Sequence, residues 1–224
     1  IPTCVLMIGG KPVDGFMGAQ PEGKIREFLD KHLPSDAEMQ AEAGADEAQQ
    51  LLESGDVQAA LQMLAESLQA DPSNDNARFD YVRLLIQTGA IDEAEAQLEE
   101  PLKRIQHPLR FEALKAWAQA IRFVHSDERG NWPLEQFDAA IADNKRDFDT
   151  RFAKAQALMA EGQWTASMDE LLEIIMRDRT WNDQAARKLY VAILELLTPP
   201  KAKDAGAVPG KTAAGIELTG KASK

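Results

Sequence analysis

The sequence predicts a mainly α-helical protein, built as an array of helical pairs and preceded by a short β-β-α segment. Three observations support this prediction. A pattern of small and apolar residues recurs 34 residues apart, from Gly55 to Gly89. From Ser35 onward the chain loses its β-prone character, and the stretch 35–54 is rich in Ala, Glu and Gln, which favour helices. The first 34 residues instead carry two β-prone runs around a pair of glycines.

The amino-terminal segment predicts a hairpin followed by a helix. Its β-prone runs, 3–8 and 13–16, flank Gly9 and Gly10, which tolerate the positive φ values of a tight turn. The stretch 21–32 then has helical periodicity. A β-β-α unit of this size is too small to form a core alone. Since the chain lacks an initiator Met and starts in a β-prone run, we expect part of a domain to precede Ile1.

A connecting helix is predicted directly after this segment. Ser35 is followed three residues later by Glu38, which is the spacing of a capping box at a helix start. From there to Ser54 the chain contains no proline and favours a helix. This helix would join the β-rich segment to the array.

The array is predicted from the 34-residue repeat. The repeated glycine would end the first helix of a pair in a left-handed conformation, and the repeated small residue would let two helices approach closely. The matching residues are Gly55, Ala60 and Leu64 in the first unit and Gly89, Ala94 and Leu98 in the second. The first unit covers about 41–74 and the second about 75–107.

The remaining helices follow the same plan with departures. A third pair, 109–125 and 134–144, lacks the repeat glycine and is either a degenerate repeat or a spacer with the same helix-turn-helix plan. The fourth unit recovers the pattern around Gly162, with Ser167 where the others have Ala. Thr180 and Asp183 form a capping-box pattern before a single helix, 184–197, that would cover the open end of the array.

Two parts of this plan resemble known families. The 34-residue period is that of tetratricopeptide repeats, so the fold class is a tetratricopeptide-type helical array. The stretch IPTCVLMIGGKPVDGFMGAQPEGKIREFLDKHLP resembles the carboxyl-terminal half of a thioredoxin fold. On that resemblance, Pro2 would be the cis proline and Gly18 the glycine after the last strand.

Three features together resemble the bacterial thioredoxin-like tetratricopeptide co-chaperones, the YbbN or CnoX type of chaperedoxin. They are the order of these parts, the 34-residue repeat and the closing segment RDRTWNDQAARKLYVAILELL. The resemblance covers residues 1–197 and lacks the first half of the thioredoxin domain. It gives three regions: part of a thioredoxin-like domain over 1–34, the array with its closing helix over 35–197, and a tail over 198–224. The tail is rich in Pro, Gly, Ala and Lys, and we expect it to be disordered.

Composition excludes some classes of partner. The formal net charge of −12 argues against nucleic acid, which needs a dense basic surface. The sequence has no apolar run near the ~18 residues that a membrane helix requires, so we expect no membrane partner. One cysteine gives no disulfide framework, which together with the family resemblance favours the cytoplasm.

Residues that could carry chemistry are few. Cys4 cannot form an internal disulfide, and in an apolar strand we expect it to pack as a small hydrophobe. His32, His107 and His125 lie far apart in the sequence and lack the spacing of metal ligands. We therefore expect each of them at a helix end or in a loop, and we predict no metal and no cofactor. Trp132, in a loop beside Gly130 and Pro133, is the candidate for an exposed aromatic residue.

We therefore expect a binding protein without catalytic residues of its own. The first helix of each pair would line a groove, with Gln49, Arg83, Gln87, Gln156 and Met159 as candidate contacts, although simple exposed surface explains the same residues. The resemblance implies a co-chaperone or holdase-like adaptor that binds unfolded or oxidised client proteins and passes them to a chaperonin or another folding chaperone. Two alternatives stay open: a thiol-disulfide oxidoreductase whose C-x-x-C half is absent from this chain, and a scaffold that docks a short peptide.

Overall fold

The structure is a computed structural model, which describes residues 2–8 and 10–198. In this part of the chain a two-stranded sheet precedes ten α-helices, and a short 3-10 helix (Glu128–Asn131) lies between two of them. The elements are β1 (Thr3–Ile8), β2 (Lys11–Met17), α1 (Glu22–Asp30), α2 (Asp36–Glu53), α3 (Val57–Ala70), α4 (Asp75–Gln87), α5 (Ile91–Lys103), α6 (Leu109–Ser126), α7 (Leu134–Asp143), α8 (Phe148–Ala160), α9 (Trp164–Arg177) and α10 (Trp181–Leu197).

The strands form the predicted antiparallel hairpin. Thr3 pairs with Met17 and Cys4 with Phe16, and a bulge follows Leu6. Gly10 has a φ of 78°, which suits the predicted turn, while Gly9 lies outside the described residues. The predicted disordered tail lies outside them too, except for Thr198.

Helix α1 packs against one face of the hairpin. The rings of Phe16 and Phe28 meet edge to face with centroids 5.2 Å apart, and His32 Nε2 lies 2.7 Å from a carboxylate oxygen of Asp14. The opposite face is open, because the side chains of Val5 and Met17 are exposed. The hydrogen bonds and ion pairs that we find for residues 2–33 all stay within that segment.

The β-β-α order is confirmed, whereas its assignment to a thioredoxin fold stays a prediction. Gly18 follows β2 with a φ of 86°, and its N–H donates to the carbonyl of Pro2. The bond that would make Pro2 a cis proline starts at Ile1, outside the described residues. The expectation for Cys4 is wrong: this thiol is exposed, because the sheet that the structure describes has just two strands and little covers it.

The repeat prediction is confirmed at its glycines. Gly55, Gly89 and Gly162 have φ values of 85°, 82° and 73°, and each ends the first helix of a pair. At each of the three, the glycine N–H and the next N–H donate to carbonyls three and five residues back, as in a Schellman motif. The left-handed glycine therefore turns the chain between the two helices of a pair.

The small residues of the repeat lie where helices meet. Ala60 and Ala94 are completely buried. Ser167 is also buried, and its hydroxyl donates to the carbonyl of Ala155 at 2.7 Å. The connecting helix is confirmed as well, since Ser35 and Glu38 form the predicted capping box of α2.

The third unit departs from the repeat as the sequence predicts. Helix α6 has 18 residues and α7 has 10, with the 3-10 helix between them. Phe137 and Ile141 of α7 form a separate small core with Ala153 and Ala157 of α8. Trp132 is half-buried against the Phe137 ring, with centroids 5.3 Å apart, so the expectation of an exposed tryptophan is wrong.

The closing helix α10 begins differently from the prediction. Thr180 does not form the expected capping box, because its hydroxyl donates to Asp178 instead. Asn182, Asp183 and Gln184 then adopt left-handed conformations, with φ between 44° and 61°, before the right-handed helix runs on to Leu197. This turn sets the direction in which α10 leaves α9.

The last helices close a ring. Helix α6 packs against α8, α8 against α9, α9 against α10, and α10 returns to α6. The buried residues Trp117, Met159, Ile174 and Ile193 each come from a different one of these helices and share one core. Among the helices that the structure describes, none has both the length and the apolar character needed to cross a bilayer.

Candidate functional site

A groove of about 680 Å³ lies where α10 passes α6, with α8 beneath them. We call it the α6–α10 groove. From α6 it is lined by Leu109, Glu112, Ala113, Lys115, Ala116 and Gln119; from α8 by Phe152 and Gln156; and from α10 by Gln184, Ala185, Arg187, Lys188, Leu189, Val191, Ala192 and Glu195.

The middle of the groove is apolar. Ala113 and Ala116 of α6 face Leu189 and Ala192 of α10, where the small side chains leave room between the two helices. At the rim Val191 is 40% exposed. Burial of such surface is the main favourable contribution when a partner binds, at about 25 cal/mol per Å². The groove can therefore hold an apolar side chain of a partner.

The rim carries charges of both signs. Lys115, Arg187 and Lys188 are exposed on one stretch, and Lys188 Nζ lies 2.6 Å from a carboxylate oxygen of Asp183. That ion pair lowers the pKa of Asp183. Glu112 lies 3.1 Å from the ring of His107 at its nearest oxygen.

A second cavity, of about 380 Å³, lies between α2 and α4. Arg83 and Asp80 line it and form an ion pair at 2.9 Å. Burial raises the pKa of Asp80, while the charges of Arg83 and Arg110 act in the opposite direction. Both guanidinium groups lie over the Phe79 ring, at 5.8 and 5.2 Å from its centroid, within the range of cation–π contacts.

The structure separates the predicted groove residues. Gln156 lines the α6–α10 groove, and Gln49 and Arg83 together line the α2–α4 cavity. Gln87 is exposed at the end of α4.

The prediction that Met159 contacts a ligand in the groove is wrong. Its side chain is completely buried, in the core shared with Leu171 and Ile193, so it does not line the surface of a groove. The position follows the inner-face spacing of a regular array, but α9 and α10 add apolar residues over this part of α8.

Most of the α6–α10 groove, in particular the contribution of α10, is not predicted from the sequence. The signal was present as a stripe at helical spacing, Gln184, Arg187, Val191 and Glu195, which puts polar and apolar residues on one face. A closing helix is usually taken as a cover for the core. Here one face of α10 covers the core and a second face forms a groove with α6.

The histidines lie at the predicted kinds of position. His32 follows α1, His107 lies between α5 and α6, and His125 is in the last turn of α6. Within residues 2–8 and 10–198 we find no group of three or more His, Cys, Asp or Glu side chains arranged to hold a metal ion.

Paired helices that repeat and leave grooves between them define a helical-repeat scaffold. Two tetratricopeptide-repeat family models match the sequence, over residues 51–118 and 127–205. The chain is therefore a tetratricopeptide-repeat protein, a protein-binding helical scaffold.

A solved chain described as "MamA RS-1 ArsTM double mutant" is 15% identical; the match covers 76% of this chain and 98% of that one, at a TM-score of 0.36. No curated protein matches the sequence significantly.

Proposed function

We propose that this protein is a peptide-docking scaffold that holds a short apolar segment of a partner protein in the α6–α10 groove. The observation that supports this is the combination of groove size and lining. A volume of about 680 Å³ lies within the ~300–1,000 Å³ of typical ligand sites, and alanine and leucine side chains form its middle. Gln119, Gln156 and Gln184 line the same groove and can donate to the backbone carbonyls of an extended segment.

A variant at the rim tests the proposal. Val191→Asp puts a carboxylate where an apolar side chain of the partner would pack, and we expect at least about tenfold weaker binding. The probe is a fluorescein-labelled peptide, Ser-Ser-Leu-Leu-Ala-Leu-Ser-Ser, followed by fluorescence anisotropy with the full chain.

Met176→Asp is the matched control, because Met176 is 68% exposed on α9 and lines none of the cavities described above. Circular dichroism shows whether both variants keep their helix content. Equal affinity of the unchanged chain and Val191→Asp would contradict the assignment of this groove.

A second candidate function is the holdase-like co-chaperone for unfolded or oxidised clients, acting with a folding chaperone in the cytoplasm. Its support is the open apolar face of the hairpin, where Val5 is 53%, Met7 53% and Met17 75% exposed. Such a face can cover apolar segments of an unfolded client. Met17→Asp should then reduce the suppression of client aggregation, measured by light scattering, while Val191→Asp leaves it unchanged.

The thiol-disulfide oxidoreductase alternative has weaker structural support than the two binding functions. Cys4 is exposed, as a reactive thiol must be, but the sequence holds no second cysteine with which it could form an internal disulfide. With dithiothreitol as the reductant, which is oxidised to its cyclic disulfide, faster reduction of insulin disulfides in the presence of this chain, lost in Cys4→Ser, would support that alternative over the two binding functions.

A further inference from the structure

The α6–α10 groove has charge of opposite sign toward its two ends. A smaller cavity of about 520 Å³ adjoins the groove at the start of α6, and Leu109 of α6 and Glu195 near the end of α10 line both. Helices α6 and α10 therefore run antiparallel along the groove. Glu195 therefore lies toward one end of the groove. Arg187, about two helical turns earlier on α10, lies toward the other end, on the side of Lys115.

The cations at the basic end are available to a ligand. Lys115 and Arg187 are exposed, and within the described part of the chain neither forms an ion pair with an acidic side chain. Arg187 donates to the amide oxygen of Gln184 at 3.4 Å, a contact that leaves its charge uncompensated. The whole protein carries a formal net charge of −12, so two cations on one groove without an acidic side-chain partner among the described residues form a local exception.

The opposite end of the groove is acidic. Glu195 is half-buried there, and Glu112 lies about one helical turn after Leu109 on α6. The adjoining cavity adds Asp75 and Arg110, so carboxylates outnumber cations at this end. Between the two ends, Ala116, Leu189 and Ala192 provide the apolar stretch that the proposed function uses. The order along the groove is therefore acidic, apolar, basic.

We propose that the partner of this groove is a segment with the complementary order: an acidic flank over Lys115 and Arg187, an apolar middle, and a basic flank beside Glu195. This inference rests on the proposed function, and it adds the chemistry and the orientation of the ligand. Charge complementarity of this kind fixes the register of a bound segment and excludes segments with like charges.

The expected effect is moderate, because the groove is open to solvent. Two or three exposed ion pairs should strengthen binding roughly three- to thirtyfold in total. The gain should also shrink as salt is added, since the Debye length falls from about 10 Å at 0.1 M to about 3 Å at 1 M ionic strength.

The test compares three labelled peptides that share the core Leu-Leu-Ala-Leu. One has Asp-Asp before the core and Lys-Lys after it, one has Lys-Lys on both sides, and one has Ser-Ser on both sides. With the full chain at low salt, fluorescence anisotropy should show the mixed-charge peptide binding about tenfold more tightly than the Ser-flanked peptide.

Charge reversal then tests the basic end directly. In Lys115→Glu/Arg187→Glu both ends are acidic, so the peptide with Lys-Lys on both sides should become the tightest of the three. Arg26→Glu/Lys103→Glu changes the net charge equally at side chains that are 74% exposed on α1 and α5, and it should keep the original order.

The results distinguish failure of the peptide-docking function from failure of the charge inference. If the Ser-flanked peptide binds, Val191→Asp weakens it, and the flanking charges make no difference, the peptide-docking function stands and the charge inference is overturned. If the order of affinities changes equally in both double variants, the effect belongs to net charge and the inference is again overturned. If no peptide binds, the proposed function itself fails.

Discussion

Single residues in this protein show how a repeat pattern tolerates exceptions. Ser167 stands where the other units carry Ala, and it is buried completely without an unsatisfied hydroxyl, because it donates to the carbonyl of Ala155 at 2.7 Å. A buried hydroxyl without a partner would cost about 1–3 kcal/mol. The size of the residue is therefore the constraint at this position, and its polarity is accommodated locally.

The contact between Asp14 and His32 predicts a dependence on pH. The His32 ring first, then the N–H of Gly15 and the ammonium of Lys31, lower the pKa of Asp14 to about 2. Because the folded pKa lies below the ordinary value of 3.8, this contribution to stability is present above about pH 4 and is lost as the pH falls toward 2.

Carbon-13 NMR of the Asp14 carboxyl group measures this directly. We expect a titration midpoint near 2 in the unchanged chain and a higher midpoint in His32→Ala, which removes the main cause but leaves Gly15 and Lys31 in place. A midpoint near 4 in the unchanged chain would show that the hairpin and α1 do not hold this contact in solution.

At the scale of the elements, the turns within the helical pairs depend on backbone conformation. Gly89 has a φ of 82°, and a Cβ placed there would meet no atom within 4 Å. The cost of Gly89→Ala is therefore conformational, not steric, and should be about 1–2 kcal/mol of the free energy of unfolding.

Gly44 is the matched control for this prediction. It lies in the middle of α2 with ordinary backbone geometry, and an added Cβ would make normal contacts of 3.5 Å or more. Gly44→Ala should stabilise the protein by about 0.5–1 kcal/mol. Urea unfolding followed by circular dichroism compares both variants, and a Gly89→Ala protein as stable as Gly44→Ala would contradict a left-handed turn.

Features set by local rules can be predicted from the sequence, whereas features set by the packing of distant helices cannot. The glycine turns, the capping box of α2 and the buried small residues follow from local rules, so the sequence predicts them correctly. The burial of Met159 and the groove beside Arg187 depend on where α10 lies relative to α6. That placement results from three consecutive left-handed residues, Asn182, Asp183 and Gln184. Asn and Asp adopt this conformation more readily than most residues, but as single residues, so local preference does not predict a run of three.

At the scale of the whole molecule, ion pairs and a shared apolar core connect the helices of the array. Ion pairs join helices within units and between them: Arg104 binds Asp75 within the second unit, and Arg122 of α6 contacts Asp92 and Glu95 of α5. Near the other end, Glu170 binds both Arg151 and Lys154, which are largely buried. These links combine with a core that extends from α2 to α10, so the array should unfold as one cooperative unit.

The hairpin and α1 should behave as a separate and weaker unit. In residues 2–8 and 10–33, no side chain that the structure describes reaches the burial of the array core, and Leu33 is 57% exposed. We therefore expect the amides of β1, β2 and α1 to exchange with solvent at least about 100-fold faster than those of α4, α6 and α8. Hydrogen exchange of the full chain, followed by mass spectrometry of peptic fragments, measures the difference, and Ser35 marks the boundary at which protection should rise. Equal protection on both sides of Ser35 would show that the β-β-α segment is stabilised as strongly as the array, and the division of the chain at this residue would be wrong.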